Sequence, residues 1–164
     1  KVPQGKEPSG SLIVGYGNEL RGDDGIGPWV AEAFRRRELP SVQTLSLHQL
    51  VPEVAASLAE VQQAFFVDAS VEQSAADEEP KFHVTQIAPA REGNRGGMTH
   101  ATDPASLLAL SQVLYGHAPQ AWLVTVAGEW FEGQQLSEPA RRRAGEAIRQ
   151  ISQQLQLPLM GKGL

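Results

Sequence analysis

SLIVGYGNELRGDDGIGPWVAEAF, residues 11–34, decides the fold. A short apolar strand runs into glycines, a polar turn carries Asp23 and Asp24 side by side, and apolar residues then return at helical spacing at Ile26, Val30, Ala33 and Phe34. Pro28 suits a first helical turn, where no amide hydrogen is needed. A buried strand feeding a helix through a short loop is the opening unit of an α/β sheet. Adjacent carboxylates repel, so two of them on the rim of a sheet imply that something positive arrives there. A metal, a helix N-terminus and a substrate cation all satisfy that condition.

The same alternation continues along the chain. Strands are expected at VQTLSL (42–47), AFFVDAS (64–70), KFHVTQIA (81–88) and AWLVTVAG (121–128). Helices are expected at PEVAASLAEV (52–61), at DPASLLALSQVLYG (103–116) and from about Ser137 to Leu155. The 103–116 segment carries the fullest signals, with Asp103 as cap, Pro104 at the first position and Gly116 as terminator. In the last helix Leu136, Ala140, Ala144, Ala147, Ile148, Ile151 and Leu155 form one apolar stripe. The pattern predicts a single-domain, doubly wound α/β fold: a mostly parallel five-stranded sheet with helices on both faces. No helix separates the third and fourth strands, so the fourth is expected to be antiparallel and at an edge. Residues 1–10 read as a flexible lead-in, 11–157 as the domain and 158–164 as a tail.

Composition narrows the function classes. A net charge of −5 does not provide the basic surface that a general nucleic-acid grip needs. The absence of cysteine removes disulfides, thiolate metal sites and a cysteine nucleophile, so any metal must be held by Asp, Glu or His. No apolar run approaches the ~20 residues of a membrane span, and the polar start lacks a signal-peptide core, so the expected location is the cytoplasm. GYGN lacks the third glycine of a dinucleotide fingerprint, because Leu20 stands there, and no ribose-binding acid ends the second strand. Neither a P-loop nor a G-x-S-x-G elbow is present.

Ligands of such sheets bind beyond the carboxyl ends of the strands, where the order reverses. Asp23, Asp24 and Asp68 all follow such ends. One acid of the pair can cap the next helix while the other works in the crevice, and Asp68 reads either as a turn aspartate or as a crevice group. His48 follows the second strand and is a rim candidate; His83 reads as structural or exposed, and His117 has no evident partner. His100, just ahead of the Asp103 cap, completes with Asp24 and Asp68 an O,O,N donor set suited to a borderline divalent ion such as nickel or zinc. The stretch from Pro89 to Thr99, rich in glycine and charge, reads as a flap over a substrate tail. Its Arg91 and Arg95 are either contacts for carboxylates or simply solvated charges.

GYGNELRGDDGIG, FFVDAS and HATDPASLLAL, in this order, resemble the maturation endopeptidases of nickel–iron hydrogenases over about residues 11–155. HQLVPE is similar to the branch serving soluble or bidirectional hydrogenases. The resemblance implies a peptidase, aspartic-type by family convention. It would remove a C-terminal extension from the nickel-loaded precursor of the hydrogenase large subunit, the nickel being carried by that precursor. It also implies that Asp24, Asp68 and His100 contact the metal and form the catalytic set, with Asn18 and Asp23 supporting. Gly15 and Gly17 would permit the tight turn, and Asp23 would bond backbone amides to hold the loop. His48, Arg91 and Arg95 are the candidate substrate contacts. Two rivals stand beside this reading. A nickel-sensing chaperone of the precursor would bind without cutting. A receiver-type phosphoacceptor domain shares the acid pair and the third-strand aspartate, but it needs a lysine after the last strand, where this chain reads LVTVAGEWFEG.

Overall fold

The computed structural model describes residues 6–71, 81–91 and 103–157. The candidate residues His100 and Arg95, and most of the expected 89–99 flap, lie outside them.

Five strands, β1 (Ser11–Tyr16), β2 (Val42–Leu47), β3 (Gln63–Ser70), β4 (Phe82–Ile87) and β5 (Gln120–Ala127), form one sheet in the order β2-β1-β3-β5-β4. β1 is parallel to β2 and to β3, β3 is parallel to β5, and β4 runs antiparallel to β5 at the edge. The mixed α/β sheet and its antiparallel edge strand are those expected from the sequence. Helices α1 (Ile26–Arg35), α2 (Val54–Leu58), α3 (Pro104–Tyr115) and α4 (Glu138–Gln154) cover it. α2 is shorter than expected. Its flanks close as tight turns, with Ala55 bonded back to Pro52 and Val61 to Leu58, so only one and a half turns keep helical spacing.

The sheet carries one apolar core on each face. Ile13, Phe65, Val67, Val124 and Val126 pack under Ile26, Val30 and Phe34 of α1 and the Ala140–Ile151 stripe of α4. Leu12, Val14, Ala64, Phe66 and Ala121 pack under Val54 and Leu58 of α2 and Leu107 and Leu108 of α3. Parallel strands buried on both sides read as unbroken apolar runs, which is why LIV and AFFV stood out in the sequence. α3 takes its expected caps: the Asp103 carboxylate accepts from the Ser106 amide at 2.8 Å, and Gly116 closes the helix at φ +77°.

The sequence alternation gives no sign of how closely α1 meets the sheet. A Cβ on Gly15 would lie 1.9 Å from the Gly27 carbonyl oxygen, and one on Gly27 would lie 2.4 Å from the carbonyl oxygens of both Tyr16 and Val67. Backbone therefore rests on backbone here, and the turn before α1 is drawn down onto the carboxyl ends of β1 and β3. That places the acid pair where the strand order reverses.

Candidate active site

Residues 17–25 form a compact loop ending in a single 3-10 turn at Gly22–Gly25. Gly17 sits at φ +147°, and a Cβ there would meet the Asp24 carbonyl oxygen at 2.0 Å. Asn18 makes an Asx turn: its Oδ1 accepts from the Leu20 amide at 2.9 Å, and its carbonyl accepts from Arg21. The Asn18 amide donates to Asp24 Oδ2 at 2.9 Å. One oxygen of Asp24 is thus fixed by the loop, while the residue stays partly exposed.

Asp23 faces the other way. It is fully buried and accepts four hydrogen bonds from the segment after β5. Oδ2 takes the amides of Glu129 (2.8 Å) and Trp130 (2.9 Å) and the Ser137 hydroxyl (2.7 Å); Oδ1 takes the Ser137 amide (2.7 Å). Its own amide donates to the Trp130 carbonyl at 2.6 Å. Burial pushes the Asp23 carboxyl up, but the bonds from Glu129, Ser137 and Trp130 outweigh it and hold the group below the usual carboxylate range. Ser137 also caps α4, accepting from Ala140 at 3.2 Å, so one carboxylate ties the acid turn, the 128–137 segment and the start of α4 together. Fully buried and turned toward the 128–137 segment, Asp23 does not present its carboxylate beside Asp24 as the acid pair of a phosphoacceptor domain does.

Asp68 follows Val67 on β3, beside the end of β1, and is partly buried. Burial pushes its carboxyl up to about 6; the Ala69 amide pulls it down, the charge of Asp24 pushes it up, and the Tyr16 hydroxyl pulls it down. Asp24 and Asp68 are therefore neighbours at the switch point, and the charge of Asp24 raises the cost of ionising Asp68. Carboxylate oxygens are donors that suit divalent cations. Among the described residues no third His, Cys, Asp or Glu joins them in a set able to hold a metal.

The other candidates fall as follows. Gly15 and Gly17 provide the close approaches, and Asn18 and Asp23 shape the loop. His48 is exposed just after β2, next to Leu47, whose carbonyl accepts from Gly17. Arg91 is exposed at the exit from β4, one residue after Ala90, whose amide donates to the Ala105 carbonyl in the first turn of α3. His83 is exposed on β4. His117 has a structural partner that the sequence did not reveal, the Val61 carbonyl at 2.8 Å from Nε2.

Two residues of the site region were not anticipated. Tyr16 follows Gly15 on β1 as Asp68 follows Val67 on the adjacent β3, so the phenol and the carboxyl stand side by side at the strand ends. Arg143 is buried, donating to the Ala127 carbonyl at 2.9 Å and to Glu129 at 2.6 Å beneath the Asp23 anchor. Its signal was periodicity, since position 143 lies on the same stripe as Ala140 and Ala147.

Solved structures with this architecture cover nearly the whole chain. The [NiFe] hydrogenase maturation protease HycI from Thermococcus kodakarensis KOD1 superposes with a TM-score of 0.65 at 23% identity, over 93% of this chain and 95% of that one. Its fold is the maturation-protease fold. The hydrogenase maturating endopeptidase HybD from E. coli gives 0.65 at 21% identity, over 90% and 92%. The hydrogenase 2 maturation peptidase from Thaumarchaeota archaeon SCGC_AB-539-E09 gives 0.63 at 20% identity, over 91% and 99%. No protein-family profile and no curated protein sequence matches the chain.

The state of Asp68 is directly measurable. In the free protein its side-chain carboxyl carbon should titrate in NMR with a midpoint near 6, and Asp24→Asn should lower that midpoint by removing a negative neighbour. The stability sign follows from the raised value. The folded state holds a proton that the unfolded chain has released between about pH 4 and 6, so ionising Asp68 erodes stability as pH rises through that window. Asp68→Asn should therefore melt higher than wild type at pH 8 and show no such gain at pH 4. A midpoint near 4, or a variant that melts lower at pH 8, would contradict this account.

Proposed function

We propose that this chain is an endopeptidase that removes a C-terminal peptide from the precursor of a nickel–iron hydrogenase large subunit, after that precursor has received its nickel. The observation that carries the reading is the Asp24–Asp68 pair at the switch point of a maturation-protease fold. The two carboxylates would approach the nickel carried by the precursor, with His100 as the nitrogen donor implied by the sequence resemblance. The ion would polarise the scissile carbonyl for attack by water. The protein's own part is to present two negative groups on the rim of the sheet, Asp24 held by the Asn18 amide and Asp68 carried at the end of β3. The aspartic-type label fits in the sense that two aspartates carry the site. His48 and Arg91 lie on exposed parts of the chain and are proposed to touch the precursor. Among the described residues no helix is long and apolar enough to cross a membrane, and we assign the activity to the cytoplasm.

The test is mass spectrometry of the large subunit after incubation with the purified protein. Nickel-loaded precursor should lose its C-terminal extension, and nickel-free precursor should remain whole at any enzyme concentration. Cutting of the nickel-free form would replace nickel recognition by ordinary peptide recognition. Tight binding of the loaded form without cutting would make the protein a chaperone.

A further inference from the structure

We infer that the cleft beside the 17–25 loop holds the C-terminal extension of the precursor, taking an apolar side chain of it against Trp29 and an acidic group of it on Arg141. The inference rests on the peptidase reading above and names where the removed peptide lies. The cleft has a volume of ≈ 590 Å³, within the roughly 300–1,000 Å³ of ligand clefts. Three parts of the chain wall it. Leu20 comes from the 17–25 loop, Pro28 and Trp29 from the first turn of α1, and Leu136 and Arg141 from the approach to α4 and its first turn. The fold leaves its large apolar side chains in water: Leu20 is 67% exposed and Trp29 39%. Apolar surface gathered around one cleft marks a contact site.

The same loop serves the cleft and the acid. Gly22 and Gly25, the ends of the 3-10 turn that carries Asp24, both line the cleft. Gly25 follows Asp24 directly, with Cα atoms about 3.8 Å apart. A chain whose scissile bond meets Asp24 therefore enters the cleft within about three extended residues, at about 3.3 Å each. In the proposed reading the body of the precursor stands with its nickel at Asp24 and Asp68, so the stretch free to run out over the loop is the extension.

Charge selects what the extension brings. Glu32 lines the cleft but is engaged by Arg35 and Arg36. Among the described residues no carboxylate pairs with Arg141. Glu19 is the remaining charge of the cleft, exposed on the loop. An acidic group is thus drawn to the α4 side and repelled from the loop side, which gives the bound segment a direction. Trp and Arg are also the side chains that most often dominate an interface, one by broad apolar contact and the other by its fork of N–H donors.

Trp29→Ala and Arg141→Glu test this. Both residues are exposed, and circular dichroism at the working temperature checks that the variants are folded. KM for nickel-loaded precursor should rise about tenfold in each. Nickel-loaded large subunit lacking the extension, added as an inhibitor of the same reaction, should bind wild type and both variants within about twofold of one another. An unchanged KM would overturn the inference. So would equal weakening of both forms, which would assign the cleft to the body of the large subunit. Self-association of wild type that both variants abolish would give the cleft to a second copy of this chain and overturn it too. Wild-type protein that leaves loaded precursor whole overturns the peptidase reading instead. The cleft is then decided by direct binding of the uncut precursor with and without its extension. Preference for the longer form, lost in both variants, upholds the inference, and no preference overturns it.

Discussion

Asp24→Asn should leave nickel-loaded precursor uncut, lowering cleavage by about a thousandfold, while the protein melts within a few degrees of wild type. Both halves follow from the local geometry. Asparagine keeps an oxygen to accept the Asn18 amide at the Asp24 position, so the loop keeps its one side-chain tie to this residue. Asp24 is partly exposed and, among the described residues, its side chain bonds the Asn18 amide of its own loop, so little stability is at stake. What disappears is the charge. With it go half of the negative pair at the switch point and the repulsion that helps raise Asp68. Cleavage is read by mass spectrometry and folding by circular dichroism on the same preparation. Near-normal processing by a well-folded Asp24→Asn would show that the other acid, or neither, meets the precursor.

The fold was legible in the sequence because each strand declared itself locally. LIV, AFFV and WLV are continuous apolar runs between turn residues, and that pattern belongs to strands buried on both faces. The α3 caps were legible for the same reason, since Asp103, Pro104 and Gly116 act within a few residues of themselves. The site was legible only in part. Sequence placed Asp24 and Asp68 at the rim through the topology rule, but it did not anticipate Tyr16. Tyr16 looked like one more apolar strand residue, and the carboxyl beside it lies on β3, more than 50 positions away. Residue type and spacing left the labour of the acid pair open, and it was the family resemblance that assigned backbone amides to Asp23, as the structure has it. Asp23 and Asp24 are the same residue type in adjacent positions, and what distinguishes them is the 128–137 segment, which closes on one of them from across the fold. Arg143 was hidden by composition. It is the last of three consecutive arginines, and its position on the α4 stripe places it inside.

Asp23→Asn should do the reverse of Asp24→Asn, destabilising the fold first and reducing cleavage only as a consequence. Asp23 Oδ2 accepts three donors and Oδ1 accepts one, all inside the protein. The asparagine has one oxygen and one amide group. If the oxygen keeps the Glu129, Trp130 and Ser137 hydroxyl donors, the amide group confronts the Ser137 N–H, donor against donor. If the side chain flips, three donors lose their acceptor instead of one. Either way the charge that strengthens every bond is gone, and at least one buried N–H is unpaired. The expected cost is about 3 kcal/mol, which for a domain of this size lowers the melting temperature by about 6–12 °C. The pH dependence provides an independent check. A carboxyl held below its ordinary range contributes stability that is present above about pH 4 and is lost as pH falls through its folded value. The gap in melting temperature between wild type and Asp23→Asn should therefore be full at pH 7 and narrow steadily below pH 4, where the unfolded wild-type chain takes up a proton that the folded carboxyl does not. Cleavage measured well below both melting points should be reduced but present, because Asp24 keeps its bond to Asn18 and Asp68 its place at the end of β3. A variant as stable as wild type would mean that the 128–137 segment is anchored elsewhere. One that is stable yet inactive would move Asp23 from the frame of the site into its chemistry.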